Sequence, residues 1–240
     1  MKSRSPFLTA EWRKLVMANY PVDPSVLRPY LPAHTELDEW EGVTYVSLVG
    51  FMFRNVRVRG MRVPSHTDFP EVNLRFYVRH KQGNEWKRGV VFISEIVPKP
   101  AITWIANTLF NEHYRTLPLR HMEEPDEYNL CETYEWTYKG RRYFIGAQAA
   151  LIPQPLQPGS KEEFITEHFW GYSSMGKGRT VEYEVSHPRW NIHPVWDHSI
   201  LCRFGELYGK DFAVLDGQEP ETVFLAEGSP IKVYAKKRIG

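Results

Sequence analysis

The segment EVNLRFYVR at residues 71–79 most constrains the fold, because its side chains alternate strictly in character. The apolar side chains share one face, namely Val72, Leu74, Phe76 and Val78. The polar or aromatic side chains share the other, namely Asn73, Arg75, Tyr77 and Arg79. A period of two is typical of a β-strand. Gly83-Asn84 then indicates a turn and residues 89–97 a second strand, so we predict an antiparallel hairpin.

Most of the remaining chain also has strand character. β-branched and aromatic residues predict further strands at 44–53, 130–138, 142–152, 180–186 and 231–235. Apolar residues after Pro100 have helical spacing, and short helices are predicted after Asp23 and after Ser160, where Glu163 completes a capping box. We therefore predict a β-rich α+β fold with a few short helices, in a single domain over residues 1–240.

Charge and composition exclude several classes of function. The 30 Lys and Arg residues nearly balance the 29 Asp and Glu residues, so the chain lacks the positive field that attracts nucleic acid. No segment approaches a membrane span and no secretory signal precedes the first strand, so we expect a cytoplasmic protein with no membrane association. The two cysteines lack metal-site spacing.

The densest group of possible metal ligands lies in one short stretch, at His187, His193, Asp197 and His198. Prolines interrupt that stretch, and the spacings match no metal-binding motif. SHPRW at residues 186–190 is better explained as a rigid turn, from which His187 and Arg189 could still reach a cavity. We predict no metal and no cofactor.

Five segments, in this order, resemble one family. They are FLTAEWRKLVMANYPVDPSVLRPYLPAHTELD (7–38), TYVSLVGFMF (44–53), HTDFPEVNLRFYVR (66–79), RGVVFISEIVPKPAITWIANTLFNEHY (88–114) and SHPRW (186–190). Together they resemble the YqjF-like family, domain of unknown function 2071, which is related to acetoacetate decarboxylase. The resemblance implies an antiparallel β-barrel or cone with a central cavity closed by loops and a helix. A shared fold assigns no activity.

The resemblance also shows what this chain lacks. Acetoacetate decarboxylases use two adjacent lysines, one of which forms a Schiff base with the substrate ketone. Aligning that motif places the pair at Tyr114-Arg115 or Arg115-Thr116, where no lysine stands. Schiff-base decarboxylation is therefore disfavoured. The same alignment places Arg13 where the decarboxylases provide a pocket arginine that could hold a carboxylate; without it, Arg13 would be an ordinary surface residue.

Polar residues near the predicted helix supply candidate catalytic groups. His113, Tyr114 and Glu95 could transfer protons, with Asn111 and Arg115 as binding groups, although His and Asn are equally typical of a helix C-terminus. Glu95 interrupts an apolar strand, so it is either a pocket acid or a structural carboxyl paired with an arginine.

The polar face of residues 71–79 allows two interpretations. In an open antiparallel sheet it would face solvent, which is the commoner case. If the sheet closes, Arg75 and Tyr77 would point into the lumen.

Two functions rank nearly equal on the sequence. The first is an enzyme that acts on a small oxo- or carboxylate-bearing metabolite by acid–base chemistry. The second is a non-catalytic module that binds or senses a small molecule, for which the aromatic content of 14% suffices. An assembly component with a vestigial cavity ranks third, because aromatic residues also favour interfaces. The expected partner is a small-molecule ligand, and a homo-oligomer is compatible with the sequence.

Overall fold

Strands run through almost the whole chain in this computed structural model, which describes residues 4–124 and 126–239. Within those residues sixteen strands are numbered in chain order: β1 Leu8–Val22, β2 Glu36–Leu37, β3 Thr44–Val58, β4 Met61–Arg62, β5 Phe69–Gln82, β6 Glu85–Val97, β7 Tyr114–Thr116, β8 Leu119–Glu123, β9 Asn129–Tyr138, β10 Arg141–Ala150, β11 Gln154–Pro155, β12 Trp170–Ser174, β13 Thr180–Ser186, β14 Asn191–Leu201, β15 Thr222–Val233 and β16 Lys237–Ile239. The predicted β-rich class is confirmed.

The helices are few and short. They are α1 Pro24–Leu27, α2 Pro100–Phe110, α3 Lys161–Thr166 and α4 Phe204–Tyr208, with 3₁₀ turns at Arg28–Tyr30 and Lys210–Leu215. The predicted caps are present: the Asp23 side chain accepts a hydrogen bond from the Ser25 N–H at 2.8 Å, and Ser160 Oγ accepts one from the Glu163 N–H at 3.2 Å. Each cap satisfies a backbone donor that the first turn leaves unpaired.

Seven strands form a closed ring, in the order β1, β3, β5, β6, β12, β13 and β15. β15 pairs with β1 along most of its length, and with β13 at Val185 and Val233, which closes the ring. The hairpin predicted from Gly83-Asn84 is confirmed as β5 and β6, which pair from Gln82 opposite Glu85.

Two pairings of β6 are parallel, whereas the sequence predicted an antiparallel sheet. β7 pairs with β6 at Glu95 and Tyr114, and β12 pairs with it at Gly89 and Trp170. A parallel pair needs a crossover connection, and α2 provides it between β6 and β7. The helix is thereby held beside one end of the ring.

A second layer packs on the outside of the ring. Strands β8, β9, β10 and β14 continue the sheet from β15. Their apolar side chains, such as Tyr134 and Ile145, belong to the same buried cluster as Val16, Leu48 and Leu74 of the ring. The ring strands that contact this layer, β1, β3, β5 and β15, therefore have buried outer faces.

Candidate functional site

Residues from all seven ring strands line a cavity of about 160 Å³. Most of its lining is apolar or aromatic, and α2 contributes Ala101, Ile102, Ile105, Ala106 and Phe110. A cavity of roughly 150 Å³ holds a molecule the size of benzene. The cavity is therefore large enough for one compact small molecule.

One wall of the cavity is polar, and β5 builds most of it. Glu71, Asn73 and Arg75 line the cavity from alternate positions of the strand. Their intervening neighbours, Val72 and Leu74, face the outer core. Strand periodicity therefore places three buried polar side chains in a row.

Two further carboxyl groups reach the cavity from the neighbouring strand and the turn after α2. Glu95 lies on β6, and its pairing partner Tyr114 also lines the cavity. α2 ends at Asn111, which adopts a left-handed φ of 59° and donates from its side-chain amide to Ser173 Oγ at 3.1 Å. This turn directs the chain back toward the ring, and Glu112 is buried against the cavity.

Hydrogen bonds satisfy only part of this wall. Tyr114 donates its hydroxyl to Glu71 Oε2 at 2.9 Å, and Asn73 Nδ2 donates to Glu71 Oε1 at 3.0 Å. Asn73 Oδ1, Arg75 Nε and Glu95 Oε2 are buried and have no partner among the described residues. The buried Glu112 carboxyl has the Tyr183 hydroxyl as its neighbouring side-chain donor. Buried polar atoms are nearly always paired in proteins, so each unpaired atom marks a position where a ligand or ordered water would bond.

Burial raises the pKa of all three carboxyl groups, which favours their protonated, uncharged form. Burial raises the pKa of Glu71 to about 7, while hydrogen bonds and the charge of Arg75 oppose the rise. The pKa of Glu112 is raised to about 8, again mainly by burial. Burial and repulsion by the other two carboxyls raise the pKa of Glu95 well above its usual value. Glu95 and Glu112 are therefore largely neutral at pH 7.

Arg75 contributes a positively charged side chain to the polar wall of the cavity. One amino group, Nη2, donates to the Ile165 carbonyl at 3.4 Å, and the guanidinium carbon lies 5.7 Å from the centre of the Tyr77 ring. Its charge lowers the pKa of Glu71 and that of His187, so it acts on both. With Nε unpaired, Arg75 could donate to an anionic or carbonyl oxygen in the cavity.

The structure brings four of the residues singled out from the sequence to the cavity: Glu95, Tyr114, Arg75 and His187. His187 stacks on Trp190, with ring centres 4.3 Å apart, and its pKa is lowered by burial. The connection between β13 and β14 thus carries His187 to the cavity.

Arg13 is not brought to the cavity, contrary to the placement that the family alignment suggested. Lys14 adopts a left-handed φ of 58°, and the pairing of β1 with β3 shifts between Arg13 and Val16. This bulge leaves Trp12 and Leu15 facing inward, with Arg13 facing outward. Its guanidinium pairs with Glu11 at 2.6 Å on the outer surface. Arg75 supplies the cavity with an arginine instead.

Three residues near the end of α2 also lie outside the cavity lining. His113 is exposed, with Nδ1 3.4 Å from the Phe92 carbonyl oxygen. Asn111 ends the helix, as described above. Arg115 donates to the Leu207 carbonyl at 2.8 Å. The strand β7 alternates, so only Tyr114 of this segment points inward.

Tyr77 and Arg189 support the structure elsewhere. Tyr77 is buried beneath Arg75, outside the lining, and its hydroxyl shares a hydrogen bond of 2.5 Å with Ser47. Arg189 pairs with Glu163 at 2.6 Å, next to the cap of α3. Both side chains are therefore occupied by interactions within the protein.

Four residues that line the cavity have no role assigned from the sequence: Glu71, Glu112, His168 and Tyr183. Glu71 carries a signal, because it starts the same alternation as Asn73 and Arg75. Tyr183 reaches the site because Gly171 lacks a side chain: a Cβ there would lie 2.1 Å from Tyr183 Cζ. Contacts of that kind join separate strands and leave no local pattern in the sequence.

The described part of the chain contains no group of three or more His, Cys, Asp or Glu side chains that could hold a metal ion. Among the same residues, no helix is both long and apolar enough to cross a membrane.

Comparison with known sequences finds two matches that cover most of the chain. The model of the family DUF2071, described as an uncharacterized conserved protein, matches residues 9–230. The uncharacterized protein YqjF of Bacillus subtilis strain 168 is 25% identical over 228 residues, which cover 95% of this chain and 86% of that protein.

Comparison with solved structures finds the same fold in characterised enzymes. Acetoacetate decarboxylase from Legionella pneumophila superposes with a TM-score of 0.66 at 14% identity, over 99% of this chain and 88% of that chain. The enduracididine biosynthesis enzyme MppR, complexed with pyruvate, superposes with a TM-score of 0.68 at 12% identity, over 100% and 92% of the two chains. Such identities show the acetoacetate decarboxylase-like fold alone.

Proposed function

Because the chain belongs to the DUF2071 family, whose description assigns no activity, we propose a function from its cavity: it is an enzyme that performs acid–base chemistry on a small oxo compound. The observation that carries this proposal is the row of buried carboxyl groups, Glu71, Glu95 and Glu112, at the wall of an otherwise apolar cavity. Buried groups of one charge type are costly to maintain, and perturbed carboxyls in a cavity are typical of catalytic sites.

The three carboxyls suit different roles because their environments differ. Glu71 has a pKa of about 7, close to the working pH, where a general base is most effective. Glu95 holds its proton, so its unpaired Oε2 is suited to donate a hydrogen bond to a carbonyl oxygen. Tyr114 bonds to Glu71 and fixes its orientation.

A proton transfer that these groups support is enolisation. The Glu71 carboxylate takes a proton from the carbon next to the carbonyl, and that C–H electron pair becomes the new C=C bond. The carbonyl oxygen takes the proton of Glu95 as its π bond opens. Arg75 stabilises the negative charge that develops on this oxygen. The reverse steps, with return of the proton to a different atom, give an isomerised product.

Schiff-base chemistry has no part in this proposal, since no lysine lines the cavity among the described residues. The structural neighbours support the substrate class. The structure of MppR has been solved with pyruvate, a small oxo acid. It has also been solved with the condensation product of pyruvate and imidazole 4-carboxaldehyde. The volume of about 160 Å³ fits molecules of that size.

A binding module that uses the same cavity without turnover is the second candidate. The aromatic lining favours it, because a dry apolar cavity binds small molecules without any catalytic group. The carboxyl wall favours the enzyme, because a binding site for an apolar molecule gains nothing from three enclosed acids.

Exchange of protons for deuterons on the carbon next to a carbonyl tests the proposal without knowledge of the final product. The protein in D₂O is incubated with pyruvate, 2-oxobutyrate, acetoacetate and cyclopentanone, and loss of the proton signal is followed by NMR. We expect catalysed exchange with at least one compound, and a loss of roughly 100-fold or more in Glu71→Gln.

A matched variant controls for the loss of a carboxyl group. The Glu219 side chain is 90% exposed, and Glu219→Gln should keep the full rate. Binding of one of these compounds with no exchange above background would contradict the enzyme and support the binding module. Equal rates in Glu71→Gln and the native protein would exclude the assigned base.

A further inference from the structure

A second polar group enters the cavity from outside the carboxyl wall. His168 lies between α3 and β12, its side chain is 1% exposed, and it lines the cavity. Its Nε2 is 3.0 Å from Asp38 Oδ2, and Arg88 Nε donates to the same carboxylate oxygen at 2.7 Å. Asp38 is fixed in turn by its backbone N–H, which donates to the Tyr77 carbonyl at 3.0 Å.

These bonds determine which imidazole nitrogen carries the proton. An ionised carboxylate can only accept hydrogen bonds, so Nε2 must donate to Asp38. Arg88 and His168 together hold the pKa of Asp38 below its usual value despite burial, which keeps that carboxylate ionised. Burial lowers the pKa of His168 to about 4, so the imidazole is neutral at pH 7. Nδ1 therefore carries a free lone pair.

The lone pair is both buried and fixed. Nδ1 has no hydrogen-bond partner among the described residues. The rings of Tyr77 and Phe164 pack against the imidazole, at 4.8 and 5.1 Å between centres, and prevent it from turning to another partner. A buried acceptor without a donor destabilises the folded protein, and a bound donor would remove that penalty.

We propose that Nδ1 of His168 accepts a hydrogen bond from a hydroxyl or N–H group of the ligand, so that the ligand is a compact oxo compound that also carries a donor. The inference rests on the proposed function in placing the ligand in this cavity, but it does not require turnover. Arg75 is near both polar groups: it lines the cavity with Glu71 from the same strand, and its guanidinium carbon lies 5.7 Å from the centre of the Tyr77 ring, which packs on His168. The carbonyl end of the ligand faces the carboxyl wall, and the donor end faces His168.

His168 is a binding group in this arrangement and not a base. A group that stays neutral down to about pH 4 does not take a proton from a weak acid at pH 7. Its role is to select ligands that carry a donor, because an analogue without one leaves the lone pair unpaired.

A pair of probes of equal size tests this selection. Phenol and toluene differ by a hydroxyl in place of a methyl group, and both fit a cavity of about 160 Å³. We expect the native protein to bind phenol at least tenfold more tightly than toluene in calorimetric titration. In His168→Gln the side-chain amide can still donate to Asp38. Its oxygen is an acceptor, but it does not occupy the position of Nδ1 in the imidazole ring. That variant should lose this preference and keep its affinity for toluene.

NMR of protein labelled at the histidine nitrogens locates the contact. We expect a protonated Nε2 and a bare Nδ1 in the free protein, and a shift of the Nδ1 signal on addition of phenol. His198→Gln, which changes a histidine on the outer sheet, should bind phenol as the native protein does.

Three outcomes would overturn the inference: no preference for phenol in the native protein, a preference that His168→Gln retains, or a protonated Nδ1. Failure of the deuterium exchange would overturn the enzyme alone, because selection of phenol by His168 does not depend on it.

Discussion

Glu112→Gln provides the sharpest test of the carboxyl wall, because the Glu112 carboxyl is buried and its pKa is raised mainly by that burial. Folded Glu112 keeps its proton up to about pH 8, whereas the unfolded chain releases it near 4.5. Between these values the unfolded chain binds fewer protons than the folded protein. The free energy of unfolding must therefore fall as the pH rises. Glutamine cannot ionise, so the variant lacks this loss.

The size of the effect follows from the shift in pKa. Each pH unit between the two pKa values changes the free energy of unfolding by about 1.4 kcal/mol. From pH 5 to pH 7.5 the variant should gain about 3 kcal/mol relative to the native protein. The gain is an upper value, because Glu95 and Glu71 share the site and redistribute protons when one carboxyl is removed.

Urea unfolding at pH 5, 6, 7 and 7.5 measures this gain, with Glu219→Gln as the exposed control. We expect the difference between Glu112→Gln and the native protein to grow steadily with pH, and the control to differ by a constant amount. A constant difference for Glu112→Gln would show that its pKa is ordinary in the folded state. Burial would then not be what keeps the carboxyl groups of the wall protonated.

Three further changes have defined outcomes. Gly171→Ala should destabilise the protein by about 1–3 kcal/mol in urea unfolding, because the new Cβ collides with the Tyr183 ring. Ser160→Ala should cost about 1 kcal/mol by the same measurement, because it removes the cap on the Glu163 N–H. The stability that neutral His168 contributes should decline as pH falls from 6.5 toward 4, because the unfolded chain then binds the extra proton. His168→Gln should abolish that part of the acid sensitivity in unfolding at pH 4.5 and 6.5.

Local patterns predicted the β5–β6 hairpin and the helix starts because local chemistry determines them. The alternation at residues 71–79 and the turn at Gly83-Asn84 are sufficient to specify the hairpin of β5 and β6. The prolines at the start of α1 and α2 set the first turn of each helix. These signals act over a few residues, so they can be read without knowledge of the tertiary fold.

The inward face of β5 could not be assigned in the same way. Val72 and Leu74 pack against the outer layer, while Glu71 and Arg75 line the cavity, so both faces are buried. Which face meets the cavity depends on the closure between β13 and β15, whose residues are more than a hundred positions away. From the sequence alone, the polar face of residues 71–79 could therefore lie toward solvent or toward the lumen, because the closure of the ring was not known.

Arg13 shows a different limit. The family resemblance assigned it to the right strand, but the bulge at Lys14 reverses the inward and outward positions beyond it. A residue other than glycine rarely adopts the left-handed conformation, and the local sequence contains no signal that predicts it at Lys14. No strand was predicted at β14, where Pro188 and Pro194 indicated only that no regular helix forms. Pro194 lies within the strand, opposite Phe224.

The proposed function gives the polar wall a physical reason. Apolar residues of similar volume at Glu95 and Glu112 would remove two desolvated acids, a change that is often neutral or stabilising in a protein interior. The closed ring and its outer layer provide the stability that tolerates such groups, as they also tolerate the unpaired Nδ1 of His168. Acids on one side and a fixed acceptor on the other complement a molecule with a carbonyl at one end and a donor at the other. Neither group serves the packing of the ring, and the proposed ligand would account for both.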